Sequence, residues 1–413
     1  MREPAFFGRT DELAALREAS AGRPSRIVVL CGRRRTGKTA LIQKFCGGRR
    51  VFFYTAGAWK DDFQLAQFSR AAGRFCGSPG VAFPSWQAAL SAAASRSSPG
   101  RRVIVIDEFQ NILRERPGFL TELQALWEES LSRQNLLLIL CADAASFAAL
   151  SLPDGKNPPL GRDAALLTVR PLPFRDLAGF APSCPAGELF RGYAALGGMP
   201  RRWEGLDPGR PMTENLAAAL LRANGFLHDE AQTILREEFR EPGTYGAILR
   251  SIALGASARG EIARESRVDP RTLTKYLSAL EEKGLIEKEA PVFAGPEEQL
   301  RPSGEHYRMA DPLVKFWYRF SAGAPSLIMS RQEALAEWDA SVEPFFAEFA
   351  SDAFEEVCRQ YLCRRHREGS LPFRPAALGR WRRSGTQTGF VGADEEQRRC
   401  LAGECVSGSR KAG

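Results

Sequence analysis

The segment Gly32-Arg33-Arg34-Arg35-Thr36-Gly37-Lys38-Thr39 constrains this chain more than any other stretch. It fits G-x-x-x-x-G-K-[ST], directly after an apolar, β-branched run at 27–31 and directly before a segment of helical periodicity. A glycine-rich turn between a buried strand and a helix lets successive backbone N–H groups face one point, and the helix N-terminus adds positive potential there. Phosphate groups are what such a point attracts. Lys38 is placed to reach the β- and γ-phosphates of ATP and Thr39 to ligate Mg²⁺, with Gly32, Gly37 and Ala40 completing the cradle. Residue frequencies make a chance match in a chain this long about a one-in-a-hundred event.

Four apolar runs, at 27–31, 51–54, 103–106 and 136–141, each lead into a helical or loop-like segment. They read as strands buried on both faces, and strands alternating with helices predict an α/β domain with a parallel sheet over residues 1–170. The third run ends in Asp107-Glu108, about 70 residues after the glycine-rich loop. Ligands bind at the C-terminal edge of such sheets. Asp107 is therefore expected to hold Mg²⁺ through water, and Glu108 to polarise a water for attack on the γ-phosphate. Standing alone, the pair would read as a buried strand ending in solvated carboxylates.

With these motifs the chain resembles prokaryotic, archaeal-type P-loop ATPases of the AAA/STAND kind, which carry a winged helix and a restriction-endonuclease-like C-terminal domain of unknown function. Phe7-Gly8-Arg9-Thr10-Asp11-Glu12-Leu13 looks like that family's opening box, which implies that Gly8 and Arg9 lie beside the nucleotide base. Gly197-Gly198-Met199-Pro200 looks like its Gly-x-Pro box, implying a nucleotide role for Pro200, where composition alone gives a tight turn after a helix. Arg162 looks like the family's transition-state cation, a surface salt bridge being the other reading. Where such ATPases place a small polar sensor, this chain has Cys141-Ala142-Asp143-Ala144. An Asp near a triphosphate repels it unless turned away or paired, so slow hydrolysis is expected.

Beyond the Pro-rich segment 152–173 the strand signals fade, and 171–241 reads as a helical lid. Glu241-Pro242-Gly243 marks a boundary, followed by three short helical stretches at 245–254, 259–266 and 270–283 and two short strands at 285–288 and 306–309. Residues 242–310 thus read as a winged helix-turn-helix. In its third helix Asp269 is the N-cap, Leu273, Leu277 and Leu280 share one face, and Arg271 and Lys275 lie off it, as in a helix that reads a major groove. Glu281, Glu282, Glu287 and Glu289 nearly balance the charge, so contact with DNA and docking to a protein client both stay open.

Residues 311–413 read as a shortened, degenerate nuclease-like α/β module. The resemblance implies an Asp on one strand and a Glu-x-Lys on the next, holding Mg²⁺. Gly389 falls where the Asp would be and Val406 where the Lys would be, while Glu404 survives with Glu355 as a candidate partner. From 358 to 413 there are twelve Lys/Arg against five Asp/Glu, most of the chain's net charge of +8, which suits nucleic acid or another polyanion as well as a solvated surface. The cysteines and His366 of this stretch lack the spacing of a zinc site.

At 413 residues the chain is expected to hold two to four domains. It has no eighteen-residue apolar stretch, no secretory leader pattern, and nine scattered cysteines, which together predict a cytoplasmic protein with no membrane partner. The expectation is an ATP-binding switch that hydrolyses slowly and couples nucleotide state to winged-helix and C-terminal contacts. The alternative is a regulator that holds nucleotide without hydrolysis and acts through DNA or protein.

Overall fold

A computed structural model describes residues 6–22, 25–95, 100–143, 164–289, 305–324, 328–373, 375, 377–383, 386–393 and 400–403. The chain divides into two compact units at Arg170/Pro171.

The first unit is built on five parallel strands: β1 (Arg26–Cys31), β2 (Phe52–Thr55), β3 (Arg102–Asp107), β4 (Leu136–Ala142) and β5 (Ala164–Thr168). Their order across the sheet is β2-β3-β4-β1-β5. All seven residues of β4 are buried and so are the last five of β1, as expected where helices cover both faces. Strand periodicity sorts the side chains. Ile27, Val29, Ile104, Ile106, Leu138 and Leu140 pack with α3 (Asp61–Cys76), α4 (Trp86–Ser95) and the helix Phe119–Glu129, around Phe68, Trp86 and Trp127. Their alternates Val28, Leu30, Val103, Val105, Leu137 and Ile139 pack with α1 (Thr10–Ala21) and α2 (Lys38–Cys46), around Leu16, Leu41 and Ile42. The fold is thus the parallel α/β sheet that the sequence predicts, with one strand more. β5 lies inside the segment read above as a Pro-rich connection; its apolar residues are Ala and Leu rather than the β-branched residues of β1 and β3, and as an edge strand it exposes Ala165, Leu166 and Thr168.

In the second unit, helices from Ala186–Leu196 to Glu343–Phe349 share one hydrophobic core running from Leu172 to Ala350. The Gly-Gly-Met-Pro turn enters it. A Cβ on Gly198 would lie 2.0 Å from the Leu172 carbonyl oxygen, which is why glycine stands there, and Pro200 begins the helix Pro200–Glu204 as its first residue, where a missing N–H costs nothing. Arg202, on that helix, forms a buried two-pronged ion pair with Asp311. Pro242–Ala253, Arg259–Ser266 and Pro270–Glu282 are helices, and they precede an antiparallel pair, β6 (Ile286–Glu289) and β7 (His306–Met309). The third helix is capped by Asp269, buries Leu273, Leu277 and Leu280, and exposes Arg271, Lys275 and Ser278.

A seventeen-residue helix, Ser351–Arg367, carries Glu355 and ends in Arg364, Arg365, His366 and Arg367, matching the negative end of its dipole. Antiparallel strands β8 (Ala377–Arg383), β9 (Thr386–Ala393) and β10 (Cys400–Gly403) follow, ordered β10-β9-β8. The β8–β9 register shifts between Gly379 and Trp381, opposite Gly389, so that glycine sits at a bulge. Glu404 and Val406 lie outside the described residues. Among those described, no helix is long and apolar enough to cross a membrane.

Candidate functional site

The glycine-rich loop leaves the C-terminal end of β1 and enters α2, with Gly37 at the helix N-cap in the left-handed region, φ 91°. Gly32 tolerates no side chain: a Cβ there would meet the Val169 carbonyl oxygen at 2.3 Å. That carbonyl belongs to the residue after β5, so the unforeseen strand walls the start of the loop. Within the loop, the Thr36 hydroxyl donates to the Arg33 carbonyl at 2.8 Å. Lys38 is buried, and its ammonium donates to the carbonyls of Gly32 (2.8 Å) and Arg33 (3.1 Å), curling the loop around itself. Ala40 lies half-buried on α2, next to Thr39.

Strand order decides how the two motifs meet. β4 intervenes between β1 and β3, so Asp107 ends two strands away from the loop, with the end of β4 between them. The gap is closed by one contact: the Thr39 hydroxyl donates to Asp107 Oδ2 at 2.7 Å. Asp107 is buried, and its other oxygen accepts the Glu108 backbone N–H at 3.0 Å. At the end of β4, Cys141 is buried against this carboxylate; burial first, then the Asp107 charge and a hydrogen bond to it, push its thiol far above the ordinary range. It remains a thiol. Asp143 follows β4 directly and is half-buried.

Glu108 adopts φ 54°, a left-handed conformation unusual for a residue with a side chain. Its carboxylate accepts from Gln110 Nε2 at 2.6 Å, and its carbonyl from the Asn111 N–H at 2.9 Å. The Asn111 side-chain amide in turn donates to the Ala56 carbonyl, past the end of β2. Nothing in the sequence reading singled out Gln110 or Asn111, because polar residues at the start of a short helix carry no motif.

Gly8 (φ 68°) and Arg9 (φ 62°) lead into α1. Arg9 is buried, donating to the Thr36 carbonyl at 2.7 Å and pairing with Glu12 at 2.8 Å. Its observed partners are therefore the phosphate loop and its own helix. In all, Gly8, Arg9, Gly32, Gly37, Lys38, Thr39, Ala40, Asp107 and Glu108 belong to the first unit. Pro200 belongs to the second, and Arg162 lies outside the described residues.

The chain is similar in sequence and fold to known proteins. Residues 6–202 match a family described as an ATPase domain predominantly from Archaea, and residues 317–409 match archaeal and bacterial proteins of unknown function. The chain is 27% identical over 399 residues to the uncharacterized protein MJECL04 of Methanocaldococcus jannaschii, covering 96% of this chain and 86% of that one. Its fold resembles the Walker-type ATPase PABY2304 of Pyrococcus abyssi, with TM-score 0.55 and 21% identity, over 76% of this chain and 96% of the other. The segment 6–202 is thus similar to ATPase domains found predominantly in Archaea, and the parallel α/β fold around the loop is that of Walker-type ATPases.

Proposed function

We propose that this protein binds Mg-ATP in the loop between β1 and α2 and hydrolyses it slowly, as a switch. The observation that carries the reading is the Thr39–Asp107 contact, two hard oxygen donors 2.7 Å apart beside a helix N-terminus. Such a donor set fits Mg²⁺, which Thr39 and Asp107 would hold and which, when bound, neutralises charge on the phosphates. The backbone N–H groups of the loop bind the phosphates, and Lys38 exchanges its two carbonyl partners for phosphate oxygens, which are stronger acceptors. Arg9 steadies the loop from behind through Thr36, and Glu108 polarises the attacking water. The roles of Arg162 as transition-state cation and of Pro200 toward the nucleotide rest on the family resemblance.

Two measurements test this reading. At a hundredfold excess over Kd, Mg-ATP should stabilise the fold by about 2.7 kcal/mol, and Lys38→Ala should abolish most of that. Glu108→Gln should keep ATP while losing single-turnover hydrolysis. Melting indifferent to millimolar Mg-ATP would sink the binding claim, whereas binding without wild-type turnover would favour the non-hydrolysing regulator.

We further read 242–310 as a winged helix whose exposed Arg271 and Lys275 contact DNA phosphates, supported by their position opposite the leucine face. Residues 311–413 we read as a nuclease-like module without nuclease activity, supported by the bulge glycine where the resemblance implies a metal-binding Asp. A cytoplasmic location belongs to the same proposal.

A further inference from the structure

We propose that Gln110 is a positioning residue for ATP hydrolysis, holding one oxygen of the Glu108 carboxylate so that the other faces the attacking water. The inference rests on the reading of Glu108 as the residue that polarises that water. Three contacts converge on Glu108: its N–H on Asp107 Oδ1 at 3.0 Å, its carbonyl with the Asn111 N–H at 2.9 Å, and its Oε2 with Gln110 Nε2 at 2.6 Å. The backbone contacts fix a left-handed conformation that a glutamate adopts at a cost, so the surroundings must impose it. They leave the side chain free to turn. Among the described residues, it is the Gln110 amide that hydrogen-bonds the carboxylate and restrains it.

Gln110 itself is poorly suited to a purely structural role. It is 4% exposed, and its carbonyl oxygen Oε1 is buried without a hydrogen-bond partner among the described residues. A buried, unsatisfied amide oxygen is destabilising, and an apolar side chain of the same length would avoid it. The amide's benefit therefore lies on its donor side, in orienting the carboxylate. Chemically, a carboxylate with one oxygen engaged by a neutral donor presents a single defined acceptor, which is the preorganisation that attack by water needs.

Gln110→Met keeps length and volume while deleting the donor. Folding should be unimpaired, with a melting temperature equal to or above wild type, and the Kd for ATP should stay within about twofold. Single-turnover hydrolysis should fall about 10- to 100-fold, the size typical when an orienting partner is removed. Gln110→Leu should behave alike, and in a Glu108→Gln background Gln110→Met should have almost no further effect, because it acts through that carboxylate. An unchanged or raised rate, a melting temperature that drops in both Gln110 variants, or an additive loss in the double variant would each overturn the proposal. Absence of turnover in the wild type would instead remove the hydrolysis reading beneath it, so the two failures are told apart by the unmodified protein.

Discussion

Removing the Arg202 guanidinium should destabilise the second unit more than almost any other single polar change. Arg202 and Asp311 are 109 positions apart yet only 3% and 1% exposed at their side chains. Two parallel bonds of 2.9 Å join them, and Arg202 also donates to the Leu196 carbonyl at 2.9 Å. Asp311 Oδ1 further accepts the N–H groups of Leu313 (3.0 Å) and Val314 (3.3 Å), capping the helix Pro312–Phe316. Arg202→Met takes the guanidinium from a buried carboxylate that those backbone donors also hold, with Glu230, 3.9 Å from the lost guanidinium, adding a second negative charge nearby. Stranding one partner of such a pair costs about 3–5 kcal/mol, a large share of the roughly 5–15 kcal/mol that stabilises a folded protein. Asp311→Asn retains a capping oxygen and leaves the cation Glu230 at 3.9 Å, so its cost should be somewhat smaller. The double variant removes both charges and keeps the cap, and should be less destabilised than either single variant. Urea unfolding followed by far-UV circular dichroism measures all four proteins. Single variants that lose less than about 1 kcal/mol, or a double variant whose loss equals the sum of the two, would refute the claim that this pair is dry and mutually dependent.

Cys141, kept protonated by burial and by Asp107, should escape iodoacetamide at pH 8 in the folded protein and react only in urea; peptide mass spectrometry showing it modified at the rate of a free thiol would contradict the site geometry. DNA affinity should fall linearly in the logarithm of salt concentration, and Arg271→Ala with Lys275→Ala should flatten that slope by about two counterions' worth, so binding that is absent at low salt points to a protein-docking role. Supercoiled DNA should stay intact in Mg²⁺ or Mn²⁺; nicking that disappears in Glu404→Ala and survives Lys38→Ala would restore the nuclease.

The loop and the carboxylate pair were legible because their chemistry demands fixed spacing beside strands buried on both faces, and such strands spell themselves out as apolar runs. What the runs do not encode is who neighbours whom. Ile106 and Leu140 are adjacent in the sheet, as are Leu30 and Cys141, but four equally apolar segments give no way to order them. The amphipathic helices between Leu172 and Ala350 each announce one buried face without naming its partner, and only in the fold do they prove to share a core. The order of the strands then explains a residue that looked like a defect. Because β4 lies between β1 and β3, Cys141 near its end packs against the carboxylate that Thr39 must reach. A cation there would compete with Thr39 for Asp107, and an anion would raise the cost of burying Asp107 beside it. A small, protonated thiol does neither. The departure from a small polar sensor therefore leaves the Thr39–Asp107 contact intact, with Cys141 packed against the same carboxylate.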